Sequence, residues 1–126
     1  MKRIRILLVD DNELSREAIK AYFDNNAEFD VVAMSASGEE CIDFMTRRHD
    51  IDAIIMDAKM PGMDGLETTR AVKKRHPKTK VIICTIWNDE GLRDYALKSG
   101  ADGYFAKGAP LSELADMLLP PDSDLR

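Results

Sequence analysis

Four apolar runs of this sequence end in side chains that can do chemistry. They are Asp10 with Asp11, Asp57, Thr85 and Lys107. Two like charges ~4 Å apart repel by about 4 kcal/mol at an effective dielectric near 20, so three carboxylates that converge require a cation. Oxygen ligands around a partly hydrated site favour Mg²⁺, with Mn²⁺ as the alternative ion. These residue types therefore predict an acidic metal site that also holds a lysine and a hydroxyl.

A carboxylate, a divalent ion, a lysine and a hydroxyl are the groups that phosphoryl transfer to an aspartate requires. In such a reaction Asp57 is the nucleophile. The metal ion and the Lys107 ammonium neutralise charge on the transferred group, and the Thr85 hydroxyl can donate a hydrogen bond to an anion. Phosphorylation of Asp57 is thus the chemistry that these residues predict.

The residues after Asp57 predict a sharp turn at Pro61-Gly62. The turn leads the chain away from Asp57 and lets a backbone carbonyl near Lys59 face the metal. Asp64 is then placed to cap the following helix. We expect the preceding strand to hold Asp57 rigidly at this turn.

The elements that position these residues follow from hydrophobic periodicity. Apolar runs of strand length alternate with longer stretches of helical period. The predicted strands are Ile4 to Val9, Phe29 to Met34, Ile51 to Met56, Val81 to Cys84 and Tyr104 to Ala106. Because parallel neighbours need helical crossovers, the pattern predicts an α/β fold with a doubly wound, five-stranded parallel sheet.

The predicted strand order is 2-1-3-4-5. The first, third and fourth runs are the most continuously apolar, as central strands should be, whereas the second carries Asp30 and the fifth is short. Ligands of such sheets bind beside the topological switch point, outside the carboxyl ends of the strands. The second strand, which ends without a charge in Ser35-Ala36-Ser37-Gly38, lies on the far side of that point.

Two stripes of helical spacing predict helix surfaces that face the core. They comprise Leu14, Ala18, Ala21 and Tyr22 after the first strand, and Leu92, Tyr95, Ala96 and Ser99 before the fifth. Gly100 follows the second stripe, where a left-handed helix cap is expected.

Length and charge limit the classes of protein. The 126 residues fit one domain, and 18 basic against 23 acidic residues give a formal charge of −5 without the basic footprint of direct DNA binding. Cys41 and Cys84 lie in apolar patterns and are expected to be reduced core thiols. No apolar run approaches the ~20 residues of a membrane span and no signal peptide is visible, so we expect a cytoplasmic protein.

The sequence resembles the response-regulator receiver domains of two-component signalling, whose fold is the flavodoxin-like (βα)5 arrangement. The resemblance spans essentially the whole chain. It rests on LLVDDNELSR at 7–16, DAKMPGMDGLE at 57–67, Thr85 in IICTIW and Lys107 in SGADGYFAKGA.

The resemblance implies a phosphoacceptor that assists its own phosphorylation and dephosphorylation and is not an enzyme acting on a separate substrate. Its donor would be a sensor histidine kinase or a phosphotransfer protein. The implied roles are metal binding by Asp10, Asp11, Asp57 and the Lys59 carbonyl, phosphoryl acceptance by Asp57, phosphate sensing by Thr85, charge pairing by Lys107, an aromatic switch at Tyr104, and tuning of phosphate lifetime by Lys59 and Trp87.

The segments GLETTRAVKKRHP and GYFAKGAPLSEL are similar to the subgroup of receivers that carry a C-terminal LuxR-like DNA-binding domain. We expect a receiver domain at residues 1–119 and the start of a linker or tail at 120–126. Such a receiver controls transcription through a DNA-binding domain outside this chain and can form a phosphorylation-dependent homodimer. No membrane partner is expected.

The sequence departs from the family pattern at two positions. Gly108 follows Lys107 where many receivers have a proline, and Ile86 follows Thr85 where smaller residues are common. A haloacid-dehalogenase-like phosphatase needs a second acid where this chain has Lys59. A flavodoxin-like electron carrier needs a loop rich in Ser, Thr and Gly at the position of Asp10-Asp11. The remaining alternative is a pseudo-receiver that binds partners without phosphorylation, and the intact set of site residues argues against it.

Overall fold

The computed structural model of the chain describes residues 2–86 and 90–120. Five strands alternate with five helices in this part of the chain. The strands are β1 Ile4–Val9, β2 Phe29–Ser35, β3 Ala53–Asp57, β4 Lys80–Thr85 and β5 Gly103–Ala106. The helices are α1 Glu13–Asp24, α2 Gly38–Thr46, α3 Gly65–Arg75, α4 Glu90–Lys98 and α5 Leu111–Leu118.

The five strands form one parallel sheet in the order β2-β1-β3-β4-β5, which confirms the predicted fold class and order. Neighbouring residues of each strand point to opposite faces of the sheet, so each central strand contributes to two cores. In β1, for example, Leu7 and Val9 pack with α2, α3 and α4, while Ile6 and Leu8 pack with α1 and α5. Burial on both faces explains why the central strands are continuously apolar.

The third strand begins later than predicted. The sequence pattern predicts a strand that begins at Ile51, whereas β3 begins at Ala53 and ends at Asp57. Ile51 is nevertheless only 4% exposed. An apolar run reports burial, and it does not separate a buried loop residue from a strand residue. At the other end, β3 and β4 include Asp57 and Thr85 themselves, so both site residues belong to strands.

The prediction for the inner face of the first helix was wrong for Leu14, Ala18 and Ala21, whereas Tyr22 is half-buried and packs against the core as predicted. Leu14 is 81% exposed, and Ala18 and Ala21 also face solvent, whereas Ile19 and Phe23 are buried against the sheet. Ile19 and Phe23 are four residues apart and bury far more apolar surface than two alanines would. Their burial therefore sets the rotation of α1 and turns Leu14 outward.

The stripe of α4 is confirmed in part. Ala96 and Ser99 are buried, but Tyr95 is 54% exposed. Gly100 has φ of +102°, which confirms the left-handed cap. Cys41 and Cys84 are buried free thiols, as predicted. Within residues 2–86 and 90–120, no helix has the length and hydropathy needed to cross a membrane.

Candidate functional site

Asp10 directly follows β1 and is held by three neighbouring segments. Its carboxylate accepts hydrogen bonds from the Asn12 amide at 2.9 Å and from Lys107 Nζ at 2.9 Å. Arg16 Nη1 donates to its backbone carbonyl at 2.6 Å. Asn12 also caps α1, because its side chain accepts from the Ser15 amide at 2.9 Å. The start of α1 therefore fixes the Asp10 carboxylate, which is 1% exposed.

Three carboxylates converge at the carboxyl ends of β1 and β3. One oxygen each from Asp10, Asp11 and Asp57 lies within 4.8 Å of the others. Asp10 and Asp57 are buried, whereas Asp11 is exposed. Lys107 reaches this group from the end of β5, with its Nζ 3.6 Å from Asp57 Oδ1. The strand order thus brings together the four charged residues that the sequence placed at the strand ends, which are Asp10, Asp11, Asp57 and Lys107.

The charges of this group shift one another's pKa values in opposite directions. Burial, followed by the charge of Asp10, raises the pKa of Asp57 to about 7, against the attraction of Lys107. Burial would raise the pKa of Asp10 too, but hydrogen bonds from Ser15, Lys107 and the Asn12 amide together lower that pKa. The pKa of Lys107 is raised despite its burial, because it bonds to Asp10 and is attracted by Asp57. Asp57 is therefore the carboxylate whose charge is least compensated.

The segment that leaves Asp57 turns as predicted. Gly62 has φ of +76°, and the Asp64 side chain caps α3 by accepting from the Glu67 amide at 2.9 Å. Gly65 donates its amide to the Ala58 carbonyl at 2.9 Å. A Cβ added at Gly65 would lie 2.0 Å from the Asp57 carbonyl oxygen, so only a glycine allows α3 to begin this close to β3.

Thr85 and Lys107 are joined through the backbone. The Lys107 amide donates to the Thr85 carbonyl at 2.7 Å, which continues the β4–β5 pairing beyond the end of β5. Thr85 is 2% exposed. Tyr104 is half-buried and packs against the core on the α2, α3 and α4 side of the sheet. Thr85 thus ends β4, and Tyr104 lies in β5, the adjacent strand that leads to Lys107.

An open cavity of about 360 Å³ lies over these residues. Its lining includes Asp11, Ser15, Asp57, Lys59, Thr85 and Lys107. Ile86 also lines it and is 71% exposed, and the exposed Leu14 lies next to Ser15 in α1. A small charged group can therefore reach Asp57 from solvent, past the exposed Ile86 side chain.

Two residues that act on Asp10 are not among those predicted from the sequence. Ser15 lowers its pKa by hydrogen bonding, and Arg16 binds its carbonyl. Both residues lie within the first turn of α1, where helical geometry directs side chains back toward the end of the preceding strand. The Asn12 cap, which marks the start of this helix, was the sequence signal that could have pointed to them. Trp87, one of the two predicted lifetime-tuning positions, lies outside the described residues, while Lys59 lines the cavity.

A parallel 2-1-3-4-5 sheet that gathers three carboxylates and a lysine at its carboxyl edge has the architecture of a receiver domain. The chain belongs to this family, because the family model for the response regulator receiver domain matches residues 6–119. It is therefore a receiver domain of the two-component response regulators. Phosphorylation and control of an output are general properties of that family.

Several named relatives are similar to this chain. The transcriptional regulatory protein DegU of Brevibacillus brevis is 37% identical over 105 residues, which are 83% of this chain and 44% of that protein. Response regulator GacA of Pseudomonas viridiflava is 37% identical over 115 residues, 91% of this chain and 53% of that protein. The chain thus spans about half the length of these relatives.

A solved structure is similar over the same region. The LuxR-family two-component response regulator from Aurantimonas sp. SI85-9A1 superposes with a TM-score of 0.84 at 29% identity. The match covers 91% of this chain and 81% of that one.

Proposed function

We propose that this receiver domain is phosphorylated on Asp57 by a sensor histidine kinase or a phosphotransfer protein and then changes conformation to control transcription. The observation that carries the proposal is the convergence of Asp10, Asp11, Asp57 and Lys107 beneath one solvent-open cavity. A buried carboxylate with a raised pKa, next to two further acids, marks a site built for a cation and an anionic group together.

The donor set fits Mg²⁺, with Mn²⁺ as the alternative. Carboxylate oxygens of Asp10, Asp11 and Asp57 and the backbone carbonyl of Lys59 would hold the ion, and hard oxygen ligands are the ones that Mg²⁺ prefers. When bound, the ion neutralises charge on the phosphoryl oxygens. Because burial and the charge of Asp10 raise the pKa of Asp57, a divalent cation at this site would favour the charged Asp57 carboxylate.

The residues of the chain divide the transfer between them. An Asp57 carboxylate oxygen attacks the phosphorus atom, the bond from phosphorus to the donor's histidine nitrogen breaks, and the imidazole keeps that electron pair. The Lys107 ammonium, which already lies 3.6 Å from Asp57 Oδ1, pairs with the transferred group, and the Thr85 hydroxyl donates to it. The β3 backbone holds the nucleophile in place during the attack.

Labelling with acetyl phosphate and Mg²⁺ tests the proposal. Intact-mass spectrometry should show a phosphoryl adduct on the parent, and the nearly isosteric Asp57→Asn should lose it completely. Asp52→Asn is the matched control, since Asp52 lies just before β3 at the opposite end of the strand. A parent without an adduct would favour the pseudo-receiver, and undiminished labelling of Asp57→Asn would show that another residue carries the phosphate.

The proposed switch involves Thr85 and Tyr104. A phosphoryl group adds roughly −1.5 to −2 charges beside Thr85 and Lys107, which favours a state in which Thr85 moves toward it and Tyr104 repacks. Moving the population from 1:99 to 99:1 requires a bias of about 5.5 kcal/mol. Beryllofluoride should shift the amide NMR signals of Tyr95 and Tyr104 as well as those around Asp57. Shifts confined to the surroundings of Asp57 would contradict the switch.

The exposed apolar rim of the cavity supports a protein as phosphoryl donor. Ile86 lines the cavity and is 71% exposed, and Leu14, which is 81% exposed, precedes the lining residue Ser15 in α1. Leu14→Ala should slow transfer from a phosphorylated kinase several-fold and leave labelling by acetyl phosphate unchanged. Leu97→Ala, at an exposed apolar position of α4, is the control. Equal kinase transfer rates in the parent and Leu14→Ala would exclude Leu14 from the donor interface.

We further propose that residues 1–119 form the receiver and that residues 120–126 begin a linker to a DNA-binding domain outside this chain. Two similar relatives are about twice as long, and one of them is a transcriptional regulatory protein. We also propose that the chain acts in the cytoplasm and forms a homodimer after phosphorylation. Lys59 and Trp87 are proposed to adjust the lifetime of the phosphoryl group. A full reading frame without a DNA-binding region would contradict the proposed linker. An unchanged sedimentation coefficient on phosphorylation would contradict the proposed homodimerisation.

A further inference from the structure

The loop between β3 and α3 is contacted by the first turn of α2. Glu39 Oε2 accepts a hydrogen bond from the Met63 amide at 3.3 Å. The same carboxylate covers Gly62, since a Cβ added there would lie 3.1 Å from Glu39 Oε2. One side chain from a different element therefore bonds to Met63 and lies against the preceding residue, Gly62.

The backbone of α2 also begins directly against this loop. A Cβ added at Gly38 would lie 3.1 Å from the Met63 carbonyl oxygen and 2.1 Å from Thr68 Oγ1. Absence of a side chain at Gly38 is what brings Glu39 within reach of Met63. The close approach of α2 thus sets where the Glu39 carboxylate lies.

The two ends of the loop are tied to the sheet by backbone hydrogen bonds. The Ala58 amide donates to the Cys84 carbonyl at 3.0 Å, and the Gly65 amide donates to the Ala58 carbonyl at 2.9 Å. Lys59 lies between these ties and is exposed. Met60, which follows Lys59, is buried in the core, so the contact of Glu39 with Met63 restrains the remaining, outer part of the loop.

We infer that Glu39 is a positioning residue for metal binding, because its carboxylate fixes the turn that orients the Lys59 carbonyl. The role of that carbonyl rests on the proposed function. The contact of Glu39 with Met63, however, is a property of the metal-free chain and can be measured without the ion. Groups that orient a ligand typically contribute ten- to a hundredfold to metal affinity.

A carboxylate near a cation site can also act through its charge alone, and two variants separate these effects. Glu39→Gln removes the charge but keeps an oxygen that can accept from Met63, whereas Glu39→Ala removes both. Glu40→Ala is the matched control: it removes a charge from the same helical turn, where the Glu40 carboxylate accepts from Ser37 Oγ at 3.3 Å instead of from the loop. All three variants change side chains on the solvent side of α2.

Two measurements on the full chain test the inference: calorimetric titration with Mg²⁺, and NMR exchange of the Met63 amide without metal. Glu39→Ala should weaken Mg²⁺ binding roughly tenfold and accelerate Met63 exchange to a similar degree, while Glu39→Gln and Glu40→Ala stay within about twofold of the parent. Asp11→Asn, which removes a proposed ligand, should weaken Mg²⁺ binding without accelerating Met63 exchange.

Other outcomes would overturn the inference. Parent-like exchange of Met63 in Glu39→Ala would show that Glu39 does not hold the loop. Equal losses of affinity in Glu39→Gln, Glu40→Ala and Glu39→Ala would assign the effect to charge. If the parent itself fails to bind Mg²⁺, the proposed function is at fault, and the exchange measurement still decides whether Glu39 anchors the turn.

Discussion

The two ends of the parallel sheet treat charge in opposite ways. At the amino ends of the strands, the carboxylates of Asp50 and Asp102 each accept from two donors. At the carboxyl ends, three carboxylates lie within 4.8 Å of one another, and Lys107 is the cation within salt-bridge distance of Asp10 and Asp57 in the described part of the chain. The same fold can therefore compensate its charges fully, and it does not do so where the proposed chemistry takes place.

Asp102, before β5, represents the amino end. Its Oδ2 accepts from the Val81 amide at 2.8 Å and from Lys73 Nζ at 2.8 Å. Lys73 in turn donates to the Thr79 carbonyl at 2.9 Å, so α3, β4 and β5 are joined through one ion pair. This carboxylate links three elements of the fold and therefore has a structural role.

Asp57 represents the carboxyl end. Its burial and the charge of Asp10 favour the protonated form, and Lys107 compensates incompletely. A carboxylate that the fold destabilises in its charged form gains most from binding a cation. The contrast teaches that an uncompensated buried acid, more than a count of acids, marks the functional end of this sheet.

The largest expected effect contrasts the same substitution at both ends. Asp57→Asn should raise the free energy of unfolding of the metal-free protein at neutral pH by about 1–3 kcal/mol, because it removes an unfavourable buried charge. Asp102→Asn should lower it by up to about 1 kcal/mol, because it weakens a favourable and partly exposed pair. Urea denaturation of both variants and the parent measures this.

Excess Mg²⁺ provides the control for that contrast. Mg²⁺ should raise the free energy of unfolding of the parent and so narrow the stability difference between the parent and Asp57→Asn. The stability difference between the parent and Asp102→Asn should stay unchanged. A loss of stability in metal-free Asp57→Asn would show that the Asp57 charge is compensated after all, and would remove the contrast.

A smaller effect concerns pH. Between the ordinary carboxyl pKa of 3.8 and the raised pKa of about 7, folded Asp57 holds a proton that the unfolded chain has released. Unfolding is then favoured as pH rises, so this residue should lower the stability of the metal-free parent by at most about 1.4 kcal/mol per pH unit across that window. Denaturation midpoints of the parent and Asp57→Asn should approach each other toward pH 4. Parallel pH profiles for the two proteins would contradict the raised pKa.

Most of the fold could be predicted because the sequence pattern and the physics coincide. Strands buried on both faces must be continuously apolar, so their order and the chemistry at their ends could be inferred from Asp10, Asp57, Thr85 and Lys107. The rotation of α1 about its axis could not be predicted, because its buried face depends on how Ile19 and Phe23 fill the core. Neither could the contact of Glu39 with Met63, which depends on how closely α2 approaches a loop 24 residues away.

The closeness of Gly65 to Asp57 has a consequence for the evolution of this sequence. Even one methyl group at Gly65 would lie 2.0 Å from the Asp57 carbonyl oxygen, so any replacement must displace the backbone that carries the acceptor. Gly65 is not among the residues that line the cavity, yet we expect it to vary among relatives as little as Asp57 itself. At exposed neighbours such as Lys59, by contrast, we expect the side chain to vary, because a replacement there does not displace the backbone of Asp57.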